Sequence, residues 1–302
     1  MISVQQMRYI IVLSEELHFE KASKKCFVTQ PTLSMQIKKA EDLLGQKLFD
    51  RSRQPMKVTK FGIQLLPIIR NIMFELNKVD EIVKKTAGTF QEEIRLGVIP
   101  TVSNYLIPKL YGSWKKSFPD LNIIIHEYTT ENLIALLENK ELDLGVFAGP
   151  YTHNSCTTQT LFLEQILIYA PSLSSEYVEL DTLKRMKPWL LTKENCLRNQ
   201  MVSFCNIDES EKKWSYEGGN IELLKRMVEE HGGYTLVPKY YSEESPELKP
   251  IMNKEMVPVR EIIGVYPSRS TKNSLIDKIL KSIRVQYPSD LNKSKKIVLD
   301  WK

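Results

Sequence analysis

Two of the four cysteines, Cys196 and Cys205, lie nine positions apart in Asn195-Cys196-Leu197-Arg198-Asn199-Gln200-Met201-Val202-Ser203-Phe204-Cys205, with Arg198 two residues after the first. An arginine nearby favours thiolate over thiol, and the thiolate is the form that attacks peroxides and disulfides. Leu197, Met201 and Phe204 recur at helical spacing, so the segment reads as a short amphipathic helix. On an intact helix, nine residues amount to about 13 Å of rise and about 180° of rotation. A disulfide needs α-carbons within about 7 Å. Joining these sulfurs would therefore remodel the segment. The pair alone leaves two readings open, a redox pair and two buried core residues.

What must position them is a chain of 302 residues, long enough for two or three domains with cores of their own. Its composition is globular, 42% hydrophobic and 26% charged, without repeats or low-complexity tracts. No run of 18 apolar residues predicts a transmembrane helix. Met1 to Leu17 is amphipathic, unlike a secretory leader. Four scattered cysteines form neither a disulfide framework nor a CxxC pair, so no structural zinc and no bound cofactor is expected. The expected compartment is the cytoplasm, where a disulfide is transient and regulatory. Charge is uneven: residues 1–87 hold 15 Lys+Arg against 9 Asp+Glu, and the rest hold 27 against 28. A basic module joined to a neutral one suggests a nucleic-acid or anionic-surface partner.

The basic module reads as three helices. Val4, Met7, Ile10 and Ile11 line the first, and Phe19, Ala22, Ser23 and Cys26 the second. A third starts at Pro31, a favourable first-turn residue, buries Leu33, Ile37, Ala40 and Leu44, and stops at Gly45. This spacing is that of a helix-turn-helix. Thr32, Ser34, Met35, Gln36, Lys38 and Lys39 face outward, where hydroxyls and amides reach base edges and lysines reach phosphates. Lys47 to Val58 reads as a two-stranded wing turning near Gln54-Pro55, with Arg51, Arg53 and Lys57 available to phosphates. Thr59 caps a helix running to about Thr86. Its apolar residues Leu65, Ile69, Ile72, Leu76, Val79 and Val83 form a heptad seam that a second subunit would cover. Pro67 interrupts that helix early.

After a linker, Ala87 to Glu92, strands and helices alternate. Ile94–Ile99, Leu121–Glu127 and Asp143–Phe147 are expected strands, separated by helices at Thr101–Lys116 and Glu131–Asn139, an order that implies a parallel sheet. Gln165–Tyr169 and Trp189–Thr192 begin a second such unit. A helix from Asn220 to Glu230, a strand at Tyr234–Val237, a late strand at Ile262–Tyr266 and a closing helix at Lys272–Val285 complete it. The expected fold class is α+β multidomain: a winged helix-turn-helix (1–58), a linker helix (59–87) and a regulatory domain (92–302). That domain has two α/β lobes of periplasmic-binding-protein-like type, lobe I at about 92–163 and 267–302 and lobe II at about 164–266.

The N-terminal residues His18-Phe19, Ala22-Ser23, Thr29-Gln30-Pro31-Thr32-Leu33-Ser34, Gln36-Ile37, Leu48-Phe49-Asp50-Arg51 and Val58-Thr59 closely resemble the LysR-type transcriptional regulators. The resemblance implies a homodimer or homotetramer on double-stranded promoter DNA. It places Thr29, Gln30, Pro31, Thr32, Ser34, Gln36 and Lys38 in the major groove or on its phosphates, with Arg51 on the backbone. The implied partners include RNA polymerase and exclude a membrane. Gly97 to Thr101, Tyr105 to Pro108, His126-Glu127, Thr130 and the paired cysteines are similar to the peroxide-sensing OxyR subgroup. That similarity implies no enzyme: an activator of oxidative-stress genes whose Cys196 is oxidised by hydrogen peroxide to sulfenic acid and resolved by Cys205 to a disulfide. A cellular thiol reductant would reopen it.

The same resemblance gives Thr101 and Thr130 to the peroxide, although both positions also suit helix capping. It gives Arg198 the task of stabilising the thiolate. Asn195 and Asn199 depart from the subgroup, where a histidine and an aspartate are expected. Lys193 reads as a solvated lysine or a source of positive potential, and His126 as a strand-end residue or a pocket one. Cys26 reads as a buried small residue and Cys156 as a loop thiol without a role. The alternative function is a LysR-type regulator that responds to a small organic effector in the interlobe cleft.

Overall fold

The computed structural model describes residues 1–52, 55–86, 92–208, 216–241, 245, 247–252, 256–287 and 296–300. Two compact units divide the chain, Met1–Phe90 and Gln91–Lys302.

In the first unit, Ser3 and Gln6 close a capping box on α1 (Val4–Glu16). The short α2 (Phe19–Lys25) follows, then α3 (Gln30–Leu44), capped by the Thr29 side chain and ended by Gly45 in the left-handed region at φ 67°. Ile10, Leu13, Ala22, Leu33, Ile37 and Ala40 are buried where the three helices meet. The wing is β1 (Phe49–Asp50) paired antiparallel with β2 (Lys57–Val58). Arg53 and Gln54, the expected phosphate contact and part of the expected turn, lie outside the described residues, as does most of the Ala87 to Glu92 linker.

Thr59 accepts a bond from the Gly62 amide at 3.1 Å and starts α4 (Lys60–Thr86), which runs on past Pro67. A β-carbon on Gly62 would meet the Leu48 carbonyl at 2.6 Å, so glycine lets helix and wing approach closely. The expected seam divides in two. Ile69 is buried, and Leu65 packs partly, in the unit's own core. Ile72, Leu76, Val79 and Val83 stay exposed, joined by Ile68 and Ile82. The first turns of α4 are recruited by the three helices beside them, and only the later turns keep a free apolar stripe.

The second unit opens with β3 (Glu93–Val98), α5 (Pro100–Ser117), β4 (Asn122–Glu127), α6 (Thr130–Glu138) and β5 (Leu144–Ala148), with β3 parallel to both neighbours. Next come β6 (Cys156–Tyr169), β7 (Val178–Glu179), α7 (Leu180–Leu183), β8 (Leu190–Leu191), α8 (Cys196–Cys205) and β9 (Glu217–Gly218). The chain closes with α9 (Ile221–His231), β10 (Thr235–Pro238), β11 (Leu248–Met252), β12 (Val257–Pro267), α10 (Asn273–Gln286) and β13 (Lys296–Val298). The main sheet is ordered β4-β3-β5-β12-β6-β11-β7, with β10 also on β6 and β13 on β12. A small parallel pair, β8 and β9, flanks α8.

Strand β6 starts at Cys156, nine residues before the expected Gln165, so Cys156 opens a strand rather than sitting in a loop. Its first residues, Cys-Thr-Thr-Gln-Thr, carry no apolar alternation, yet threonine's branched β-carbon suits a pleat. β6 pairs antiparallel with β12 along its first part and with β10 and β11 beyond, and so passes from the first hydrophobic core into the second, while β12 contributes to the first. Leu96, Val98, Phe147, Phe162 and Ile279 belong to the first core, and Ile166, Tyr169, Trp189, Leu197 and Leu236 to the second. The expected lobe limits shift accordingly. Ile262 to Tyr266 contribute to the first core, and Leu299 to the second.

Candidate redox site and nucleic-acid interface

The two cysteines are the first and last residues of α8, both buried and both free thiols. They belong to different cores: Cys196 packs with the first, and Cys205, with Leu197 and Met201, with the second. Ten residues of unbroken helix hold them on the order of 13 Å apart, too far to bond. This is the dithiol form.

Cys196 stands at the α8 N-terminus, where backbone N–H groups have no helical acceptor. Asn195 precedes it without capping the helix, because its side-chain amide turns back to Thr192 Oγ1 at 3.1 Å. The uncapped Cys196 and Leu197 amides are left to the sulfur. Burial pushes the Cys196 thiol up, while Arg260, the Thr130 hydroxyl and those amides pull it down.

The cation acting on Cys196 is Arg260, which the sequence did not single out. Arg260 is fully buried. Its Nε donates to Glu164 Oε2 at 2.8 Å, its Nη1 to Thr101 Oγ1 at 2.9 Å and its Nη2 to the Thr101 carbonyl at 3.0 Å. Arg198, expected to face the thiol, instead donates Nη2 to Glu217 Oε1 at 2.9 Å. An intact helix explains this: positions two apart point about 200° from each other around the axis. The signal for Arg260 was an Arg260-Glu261 pair of charges inside the otherwise apolar stretch Val257 to Tyr266, a strand whose inward-facing charge survives only if paired.

Thr101 and Thr130 both line this site, and neither caps a helix. Thr129 provides the α6 cap, through the Asn132 amide at 3.4 Å. Thr130 Oγ1 is buried and bonded to no other oxygen or nitrogen, so its hydroxyl is left to the Cys196 sulfur. Thr101 Oγ1 accepts from Arg260, which leaves its own proton free to donate. Lys193 and Asn199 are exposed, and His126 is exposed near the end of β4, 6.0 Å from the Tyr128 ring.

Cys205 differs in each respect. It ends the helix, where carbonyls rather than amides are unpaired. Burial pushes its thiol up to about 12, with Tyr234 the one group pulling it down. A cavity of about 320 Å³ beside it is lined by Trp189, Tyr216, Tyr234 and the Lys187 stem. Burial also pushes up the half-buried thiols of Cys26 and Cys156.

The description "Bacterial regulatory helix-turn-helix protein, lysR family" fits residues 4–63, and "LysR substrate binding domain" fits residues 87–286. The chain belongs to the LysR family of transcriptional regulators. The DNA-binding transcriptional dual regulator OxyR of Escherichia coli K12 is 30% identical over 302 residues, covering 96% of this chain and 98% of that one. A full-length OxyR variant from Pseudomonas aeruginosa aligns at TM-score 0.73 and 24% identity over 94% of this chain and 98% of that one. A hydrogen-peroxide-bound OxyR mutant from Corynebacterium glutamicum aligns at TM-score 0.59 and 25% identity, over 94% and 92%.

Within the matched helix-turn-helix, α3 carries the outward groups. Gln30, Pro31 and Lys38 on α3 are exposed, as is its cap Thr29. Thr32 Oγ1 lies 2.8 Å from Thr29 Oγ1, and Gln36 Oε1 accepts from Gln6 at 3.2 Å. Arg51 is less free than expected: it pairs with Glu41 at 3.1 Å, lies over the Phe19 ring and reaches Ser34 Oγ at 3.5 Å. Glu41, also missed in the sequence, is buried and accepts the Leu48 and Phe49 amides, stitching α3 to the wing. Among the described residues no helix is long and apolar enough to cross a membrane.

Proposed function

We propose that this LysR-family regulator senses hydrogen peroxide at Cys196, stores the signal as a Cys196–Cys205 disulfide and activates oxidative-stress genes. The carrying observation is the pocket of Cys196: a thiol at an uncapped helix N-terminus, beside buried Arg260 and a buried Thr130 hydroxyl left to the sulfur. Thr130 and Thr101 donate to the peroxide oxygens. The Cys196 thiolate attacks one oxygen, the S–O bond forms as O–O breaks, and hydroxide departs with a proton as water. Arg260 stabilises both the thiolate and the departing hydroxide. The Cys205 sulfur then displaces the sulfenic oxygen as a second water, which requires α8 to unwind. A disulfide closing about ten residues stabilises the rearranged state by roughly 2–3 kcal/mol, enough to shift a regulatory equilibrium. The reading predicts a Cys196–Cys205 linked peptide, seen by mass after peroxide treatment and digestion without reductant. Free thiols in a protein that still switches at its promoter would end it.

On the DNA side, Thr29, Gln30, Pro31, Thr32, Ser34, Gln36 and Lys38 form the groove-facing surface, while Arg51 positions the wing through Glu41 and touches the backbone. Ile72, Leu76, Val79 and Val83 meet a second copy, and dimers pair as a tetramer that engages RNA polymerase in the cytoplasm. A cellular thiol reductant resets the switch. Leu76→Glu should yield monomers by light scattering and weaken promoter binding at least tenfold. An unchanged mass would remove α4 from the interface.

A further inference from the structure

Each of the two buried arginines of this region already holds a carboxylate: Arg260 pairs with Glu164 at 2.8 Å and Arg198 with Glu217 at 2.9 Å. The pairs differ in their access to water. The Glu217 side chain is 28% exposed, so solvent screens its charge, whereas Glu164 and Arg260 are both 0% exposed. Glu164 is also fixed in place. Its Oε2 accepts from Arg260 and from the Tyr105 hydroxyl at 3.0 Å, and its Oε1 accepts the Tyr240 amide at 3.2 Å. A guanidinium does not give up its proton in a protein, so a dry pocket around it needs an anion. Glu164 and an ionised Cys196 compete for that place. With Glu164 ionised, the cluster is neutral when Cys196 is a thiol and negative when Cys196 is a thiolate.

We propose that Glu164 restrains the sensor: as the resident counter-ion of Arg260 it keeps Cys196 in the thiol form at rest and so raises the peroxide level needed to trip the switch. This rests on the reading of Cys196 as the peroxidatic thiol, because only the ionised sulfur forms the S–O bond and expels hydroxide from the peroxide. The groups around it are Arg260 on β12 with its counter-ion Glu164 on β6 and Tyr105 on α5, Thr130 on α6 and the Cys196 and Leu197 amides of α8, while Arg198 on α8 is turned to Glu217 on β9. Tyr105 is held neutral by burial and by Glu164 beside it, so it adds no competing charge. Burial alone pushes the resting thiol up, against the pull of Arg260, and the carboxylate that already neutralises Arg260 weakens that pull.

The test is alkylation of the reduced full-length protein by iodoacetamide across a pH series, with each cysteine read separately by peptide mass. Glu164→Gln removes the charge and keeps an acceptor for Arg260. Its Cys196 midpoint should fall by at least about one unit, speeding alkylation at neutral pH about tenfold. A midpoint that stays or rises overturns the proposal. Should Glu164→Gln not fold, Glu164→Asp decides: drawing the carboxylate one methylene back should move the midpoint the same way by less, and no movement or a rise overturns it. The readout involves no peroxide. A lowered midpoint in a protein that forms no Cys196–Cys205 linkage with peroxide would therefore sink the sensing reading and leave the counter-ion role standing.

Discussion

The two ends of α8 make opposite environments from the same helix. At the N-terminus, amides, a hydroxyl and a buried guanidinium converge on Cys196. At the C-terminus, Cys205 meets apolar packing and the Tyr234 ring, and its thiol rises to about 12. On the proposed reading one sulfur meets the peroxide in place, and the other waits for the helix that holds it to give way. A resolving thiol of this kind would need no activation of its own in the resting state, only release.

The largest expected contrast comes from exchanging each sulfur for oxygen. Cys196→Ser should abolish peroxide-driven promoter activation, whereas Cys205→Ser should still oxidise at Cys196 and accumulate sulfenic acid, trapped by dimedone and read by mass. A Cys205→Ser protein that forms no adduct would place the first oxidation elsewhere. The two arginines should separate next. Arg260→Gln leaves Glu164 buried and unpaired, which costs about 3–5 kcal/mol in urea unfolding and slows Cys196 oxidation. Arg198→Gln frees a carboxylate that is part-exposed, so its unfolding cost should be on the order of 1 kcal/mol. Equal costs would refute the difference in burial. The smallest effect lies in alkaline stability. Cys205 has a folded value of about 12 against an ordinary 9.0. The unfolded chain therefore releases that proton first, and stability present below about pH 9 is lost as pH rises toward 12. Cys205→Ser should flatten the decline in unfolding midpoint across that window.

Much of this was legible in the residues. The helix-turn-helix, the stop of its third helix at Gly45, and the α8 helix follow from local spacing, because each is decided within one or two turns of chain, whereas the cap at Thr29 was not anticipated. Thr101 and Thr130 were singled out through the resemblance, and neither caps its helix, since Ile99 and Thr129 hold those positions. Arg198 was chosen for being near Cys196 in sequence, and helix geometry turns it away. Arg260 lies far from Cys196 along the chain and arrives through sheet pairing, which local patterns do not record. Glu164 and Glu41 were invisible for the same reason: their partners are contributed by other elements. The α4 seam was read correctly as periodic and too generously as free, since periodicity does not say which turns a neighbouring helix has already covered.

Strand β6 runs from the first core of the second unit into the second, paired with β12 along its first part and with β10 and β11 beyond. Two lobes that share this strand cannot lose structure independently, since melting either core would strip hydrogen bonds from a strand the other needs. In a calorimeter the regulatory half of this chain should show one heat-absorption peak.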